Sequence, residues 1–280
     1  MPPMAIVSAP ARTHCADPQE LDHLSYSSFT TYSACPRKFC YRYLEKAPVE
    51  FVPASLAFGG AIHRAVEAIH MARLEGAAIP ELEDLLREYD KAWREVAGDV
   101  PVLHASEEDE KSLRLVAQRM LSVYREHIVA KQSQPQPQII AIEQAERFQL
   151  LLGVPPIAMR LDLLELTETG DLIVSDLKTS RSRWNETKVL EALPQLVLYA
   201  QGLMPVLRAL GAKRIVPQFV VLTKAKTPVI QTLSPTATQD DVNRLKRQVG
   251  EVWHGIRQGV FVQRTGWQCS QCPYKKRCLG

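Results

Sequence analysis

The 280-residue chain has no apolar run near the roughly 18 residues that cross a bilayer. Its opening stretch, MPPMAIVSAPARTHC, carries no long apolar segment behind a basic start, so it makes a poor secretory signal. These absences lead to the expectation of a soluble, cytoplasmic protein with no membrane partner. Cysteine is missing between residues 41 and 268, and all six cysteines (Cys15, Cys35, Cys40, Cys269, Cys272 and Cys278) sit toward the two ends. Away from the secretory route disulfides are disfavoured and metal binding gains weight. End-loaded thiols then point to a ligand set assembled from two distant segments. There is no G-x-x-x-x-G-K-S/T phosphate loop, which excludes a fused helicase motor but not a separate partner. Charge of one sign is also scarce: the formal net charge is +3, which is compatible with nucleic acid without arguing for it.

The composition present is that of a folded domain, with 46% hydrophobic residues. Residues 1–22 are rich in Pro, Ala and polar residues and read as a mobile tail. Ser25–Leu44 reads as a serine-capped short helix, then Cys35-Pro36, then a second helix. Three helical periodicities follow, through Ile62, Val66, Ile69 and Met71, through Leu82, Leu85, Leu86, Tyr89, Trp93 and Val96, and through Leu113, Val116, Met120, Tyr124 and Ile128. They suggest a helical lobe over residues 58–135. From residue 138 the texture changes: QIIAIEQ, RFQLLL, IAMRLDLLEL and DLIVSDLK read as strands, with a hairpin turn at 167–171. A helix from about Val189 to Leu210, strands at IVPQFVVL and TPVIQTL, and a helix from roughly Thr238 to Gln258 complete the pattern. This order predicts an α/β fold, a mixed sheet flanked by helices. The expected organisation is one domain over 23–280, with an α/β core at 138–235 and a helix and cysteine segment at 236–280.

Asp162, Asp176 and Lys178 carry the chemistry. Asp162 lies inside an apolar strand, Asp176 at the end of the next, and Lys178 two residues on. Strand residues two apart face one side, so Asp176 and Lys178 project together, and the hairpin can bring Asp162 beside them. Two carboxylates in apolar surroundings repel each other and are costly to desolvate. A hard cation removes that conflict and keeps several waters. A nearby ammonium can orient a water and stabilise charge developing on a phosphate. Taken alone, D-x-K reads equally as a strand-end ion pair. His63, in Gly59-x-x-x-His63, offers an imidazole at the opening of a helix. Gln195 and Tyr199 share one helical face. Glu143, on the preceding strand, is a further candidate for the site.

The order Gly59-x-x-x-His63, Asp162, Asp176-x-Lys178, Gln195-x-x-x-Tyr199 resembles the PD-(D/E)xK nuclease superfamily in its RecB-like branch, and Asp176-Leu177-Lys178-Thr179-Ser180 is similar to that branch's D-x-K-T-G/S signature. The resemblance covers residues 24–280. It implies a restriction-endonuclease-like fold. Mg2+ or Mn2+ would be bound by His63, Asp162, Asp176 and the Leu177 carbonyl, with Lys178 catalytic and Gln195 and Tyr199 as accessory site residues. One departure stands out: the family often has glycine two residues before the first aspartate, and here that position is Arg160, which can alter strand packing or add a phosphate contact.

Cys269-x-x-Cys272-x5-Cys278, with Cys35 upstream, is similar to the iron–sulfur nucleases of the same branch, among them CRISPR-associated RecB-like nucleases and AddB-type subunits. That similarity implies a [4Fe–4S] cluster acting as a staple; four thiolates also suit structural zinc. Cys40 competes with Cys35 for the upstream place and otherwise reads as a packed thiol, while Cys15 has no assigned role. Phe39, Tyr41, Arg42, Tyr43, Trp267, Tyr274, Lys275 and Lys276 can grip single-stranded DNA, or the aromatics, Tyr43 and Trp267 above all, can pack around the cluster. The implied function is a metal-dependent deoxyribonuclease, an exonuclease on single-stranded ends, in repair, recombination or CRISPR spacer acquisition, alone or with protein partners. The alternative is a DNA-end-binding adaptor that does not cut; the complete His63, Asp162, Asp176 and Lys178 set argues against it.

Overall fold

The computed structural model describes Cys15, Pro18 and residues 21–106 and 108–280. Most of the tail expected over 1–22 lies outside the described residues. The chain enters through a two-residue strand, β1 (Leu24–Ser25), and helix α1 (Tyr26–Ala34). Ser25 caps α1 in a reciprocal box with Ser28, satisfying two backbone donors that the first turn leaves free. A short helix, α2 (Pro36–Phe39), and a π-helical turn (Cys40–Leu44) follow. Pro36 fits the first turn, where its missing N–H is not needed.

After β2 (Val52–Pro53) come helices α3 (Ala54–Glu75) and α4 (Leu82–Ala97), strand β3 (Val102–Leu103), which pairs with β2, and helix α5 (Glu110–Lys131). Helix α4 buries Leu85, Leu86, Tyr89, Ala92 and Trp93, one stripe at helical spacing. The packed interior of these helices also contains Leu177 and Leu222 of the main sheet. The sheet is built from β4 (Gln138–Phe148), β5 (Ile157–Leu166), β6 (Asp171–Ser180), β7 (Arg214–Thr223) and β8 (Ile230–Leu233). Its order is β1-β5-β6-β7-β8, with β4 also paired to β5. Parallel and antiparallel neighbours occur together, so the sheet is mixed, as expected.

The sheet's second apolar cluster joins Leu196, Tyr199 and Leu203 to Met159, Leu161, Val174, Phe219 and Val221. The first three come from helix α6 (Glu186–Gly202) and its end. A third cluster packs α1 and α2 against helix α8 (Gln239–Arg257), chiefly through Phe29, Tyr32, Phe39, Leu245, Val249 and Ile256. Two expectations need correction. The helix placed at 189–210 breaks at Leu203, and a separate α7 (Met204–Leu210) begins with Pro205 in its first turn; proline cannot donate to the preceding turn and stops the ladder. RFQLLL is not a strand of its own: β4 runs unbroken to Phe148, and the chain then turns. A short 3-10 helix (Trp267–Gln271) and α9 (Lys275–Leu279) close the chain.

Candidate active site

The ladder between β5 and β6 is short, running from Leu166↔Leu172 to Leu163↔Ser175. One step further, Asp162 and Asp176 face each other across strands that no longer pair. β6 instead keeps its register with β7 out to Ser180↔Thr223. The two aspartates therefore stand in a fork of the sheet. Asp162 Oδ2 accepts the Leu177 amide at 2.7 Å, so the carboxylate takes the place of the lost ladder partner. Asp176 is internal to β6 rather than at its end, a correction that leaves the two-residue spacing to Lys178 intact. Lys178 Nζ lies 2.7 Å from Asp176 Oδ2.

Asp176 is almost fully buried. Its Oδ1 accepts from Gln195 Nε2 at 2.8 Å and from Tyr199 Oη at 3.2 Å, and the two α6 side chains are themselves joined at 2.8 Å. Oδ2 has no hydrogen-bond donor of good geometry, only the neighbouring ammonium. Burial pushes the Asp176 carboxyl up, against the opposing pull of Lys178, and Asp162 adds to the rise. The Tyr199 phenol is likewise raised, by burial and then by Asp176 and Asp162, so at neutral pH it remains a donor.

His63 sits in the third turn of α3, not at a helix opening. Its Nδ1 lies 3.4 Å from Asp162 Oδ1 and 3.9 Å from Glu143 Oε1. Burial alone would lower the imidazole's pKa, but Asp162, Glu143 and Asp176 outweigh it and push it up to about 10. Glu143 is thus part of the site. The flanking register (Ile142↔Leu163, Gln144↔Leu161) sets it across from Asp162. β4 changes register between Ile139 and Ala141, and Glu143 has a left-handed φ of 48°, which is unfavourable for a side chain of this size. The readable signal for Glu143 was its position on a strand next to that of Asp162.

His63, Glu143 and Asp162 hold donor atoms within 4.8 Å of one another, and Asp176 adds a buried Oδ2 whose one charged neighbour among the described residues is Lys178. Three carboxylates and one imidazole in a partly desolvated fork form a donor set that suits a hard divalent cation. The His63 imidazole and the Lys178 side chain lie against these carboxylates. The Leu177 N–H is committed to Asp162. Behind the fork a cavity of about 20 Å³ is lined by His63, Glu67, His70, Tyr124, Asp162 and Ser175. Here lies a network that sequence reading missed: Arg73 donates to Glu165 at 2.8 Å and to His70 Nδ1 at 2.9 Å, and His70 Nε2 meets Tyr124 Oη at 2.9 Å. His70 is seven residues from His63, on the same α3 face.

The four thiols of Cys35, Cys269, Cys272 and Cys278 are free and line one cavity of about 70 Å³. Burial raises the Cys278 thiol, and so do Cys35, Cys272 and Cys269. Cys40 is not a packed thiol: it forms a disulfide with Cys15, with Cα atoms 6.0 Å apart. Phe39, Tyr41 and Tyr274 are buried, whereas Trp267 is 87% exposed. The packing expected for Trp267 does not occur, and the buried rings present no open face for a base.

The family model of the PD-(D/E)XK nuclease superfamily matches residues 23–279. A search of curated proteins returns no match to the chain. Among solved structures, a protein from Eubacterium rectale called "Putative exonuclease" is similar at a TM-score of 0.55 and 12% identity, covering 96% of this chain and 93% of that one; at that identity the likeness concerns the fold. SSO0001 is similar at 15% identity and a TM-score of 0.35, over 78% of this chain and 84% of its own. With the match spanning the fork, the helices around it and the cysteine segment, the chain belongs to the PD-(D/E)XK nuclease superfamily.

Proposed function

We propose that this chain is a divalent-metal-dependent deoxyribonuclease of the RecB-like branch, acting as an exonuclease on single-stranded DNA ends. The observation that carries the reading is the fork, where His63, Glu143, Asp162 and Asp176 converge with Lys178 ion-paired to Asp176. Mg2+ or Mn2+ held there by these four residues, with the Leu177 carbonyl, would supply Lewis-acid activation of a phosphoryl oxygen and a more acidic water. Gln195 and Tyr199 fix the Asp176 carboxylate in one orientation through Oδ1. Lys178, two residues along the strand, reaches the same face and can orient the attacking water and balance charge on the phosphate. Asp162 is held by the Leu177 amide, so the two aspartates keep their separation as the phosphate approaches. The exonuclease reading rests on the motif resemblance, and the name carried by the Eubacterium rectale protein agrees with it.

The second part of the proposal is a [4Fe–4S] cluster on Cys35, Cys269, Cys272 and Cys278, with structural zinc as the rival. Four free thiols around one cavity support it. The Cys15–Cys40 disulfide takes no thiol from this set and lends the cluster no support. Anaerobically purified protein should be brown and contain iron near four per chain; colourless protein with one zinc would remove the cluster. The deciding test of function is degradation of end-labelled single-stranded DNA with Mn2+, with chelator, and with Lys178→Ala. Loss of DNA only with metal and wild-type Lys178 is the expected result. Binding without cutting would move the protein to the adaptor class, serving a repair or CRISPR assembly.

A further inference from the structure

Arg160 stands on β5 beside the fork and is ion-paired into it. On β5 it lies two residues before Asp162, on the same face, and across from Ala145. From there its guanidinium runs diagonally to Glu143, with Nε 2.5 Å from Oε2. Glu143 is thus shared: Oε2 faces Arg160, while Oε1 faces His63. The Glu143 side chain is 12% exposed and that of Arg160 66%. The acid is therefore sunk into the site, while the guanidinium stands at its mouth.

A guanidinium this close to a carboxylate occupies lone pairs that a divalent cation would otherwise take. Two cations do not share one carboxylate without repulsion. Arginine is also the side chain whose planar fork matches a phosphate. We propose that Arg160 has two positions. In one it holds Glu143, as in this structure; were Glu143 engaged as a ligand of a divalent cation, the released guanidinium would take a phosphate of the incoming strand. Metal loading and strand binding are then coupled through one residue, and the coupling must be reciprocal. This rests on the metal-dependent nuclease reading and adds to it a residue that couples strand binding to metal loading.

The test uses Mn2+ alone and then DNA alone, with the full chain. Mn2+ binding is measured by calorimetry or electron paramagnetic resonance on wild type, Arg160→Ala, Arg160→Lys and, as a charge control, Arg147→Ala, whose arginine pairs with Asp22 instead. Removing the competing guanidinium should tighten Mn2+ binding roughly threefold to tenfold, with Arg160→Lys between and Arg147→Ala unchanged. Binding of a short labelled single strand is then followed by anisotropy, in chelator and in Ca2+. In Ca2+, Arg160→Ala should weaken binding and reduce the salt slope by about one; in chelator it should match wild type, because there Arg160 is already occupied. Tighter Mn2+ together with weaker Ca2+-dependent DNA binding supports the proposal, since simple damage to the site would weaken both. If wild type binds Mn2+ and Arg160→Ala leaves that affinity unchanged, this proposal falls and the nuclease reading stands. Absence of Mn2+ binding by wild type would overturn both.

Discussion

The buried histidine behind the fork makes a quantitative prediction about acid stability. His70 is 4% exposed. Arg73 donates to its Nδ1, leaving the Nε2–H to donate to Tyr124, so the ring is built in as neutral imidazole. Burial, followed by the Arg73 charge, lowers its pKa from 6.5 to about 3. In the unfolded chain the ring regains an ordinary pKa and takes up a proton as pH falls. The unfolded state then binds more protons than the folded one between pH 6.5 and about 3, and stability drops across that window. With 1.36 kcal/mol per unit, the loss attributable to His70 is about 2 kcal/mol between pH 7 and pH 5. Urea unfolding of wild type and His70→Gln at pH 7 and 5, both in chelator, isolates it. Glutamine can still accept from Arg73 and donate to Tyr124, but it does not titrate. Wild type should lose about 2 kcal/mol more than the variant over those two pH units. Equal losses would mean that His70 is protonated in the fold, and the Arg73–His70–Tyr124 reading would be wrong.

Other expectations follow from single contacts. Tyr199→Phe removes one of two donors to Asp176 Oδ1; kcat on DNA should fall about tenfold with KM little changed, and an equal rise in KM would refute a positioning role. Glu143→Gly frees a left-handed residue and removes a carboxylate beside Asp162. In chelator the relief of about 1 kcal/mol of left-handed strain opposes the loss of the pairs to Arg160 and His63, so the urea midpoint should move little, while Mn2+ affinity, read by calorimetry, drops. A Cβ at Gly59 would meet Thr179 Oγ1 at 3.8 Å, an ordinary contact. Gly59→Ala should thus stabilise α3 by roughly 0.5–1 kcal/mol; a destabilised variant would show that the glycine is needed for close packing.

The helices and strands were legible because their burial is periodic: α4 shows its stripe in Leu85, Leu86, Tyr89 and Trp93, and the 167–171 turn announces itself with Gly170 at a φ of 87°. Features set by tertiary context were not. The α6–α7 break needs Pro205 to outweigh a continuous apolar pattern, and the Cys15–Cys40 disulfide joins a segment that showed no periodicity at all. In the site, the residues bound by short-range rules were easiest to read. Asp176 and Lys178 share a strand face, and Gln195 and Tyr199 share a helix face, so spacing alone pairs them. Glu143 and Arg160 are different: their meeting depends on the register of β4 against β5, which shifts near Ile139. A one-residue slip in a strand exchanges its two faces, and neither hydropathy nor spacing in β4 reports the shift. The backbone strain at Glu143 is the local sign that the sheet has been bent to bring a third carboxylate to the fork. That third acid adds negative charge beside Asp162, and the Arg160 guanidinium lies against it.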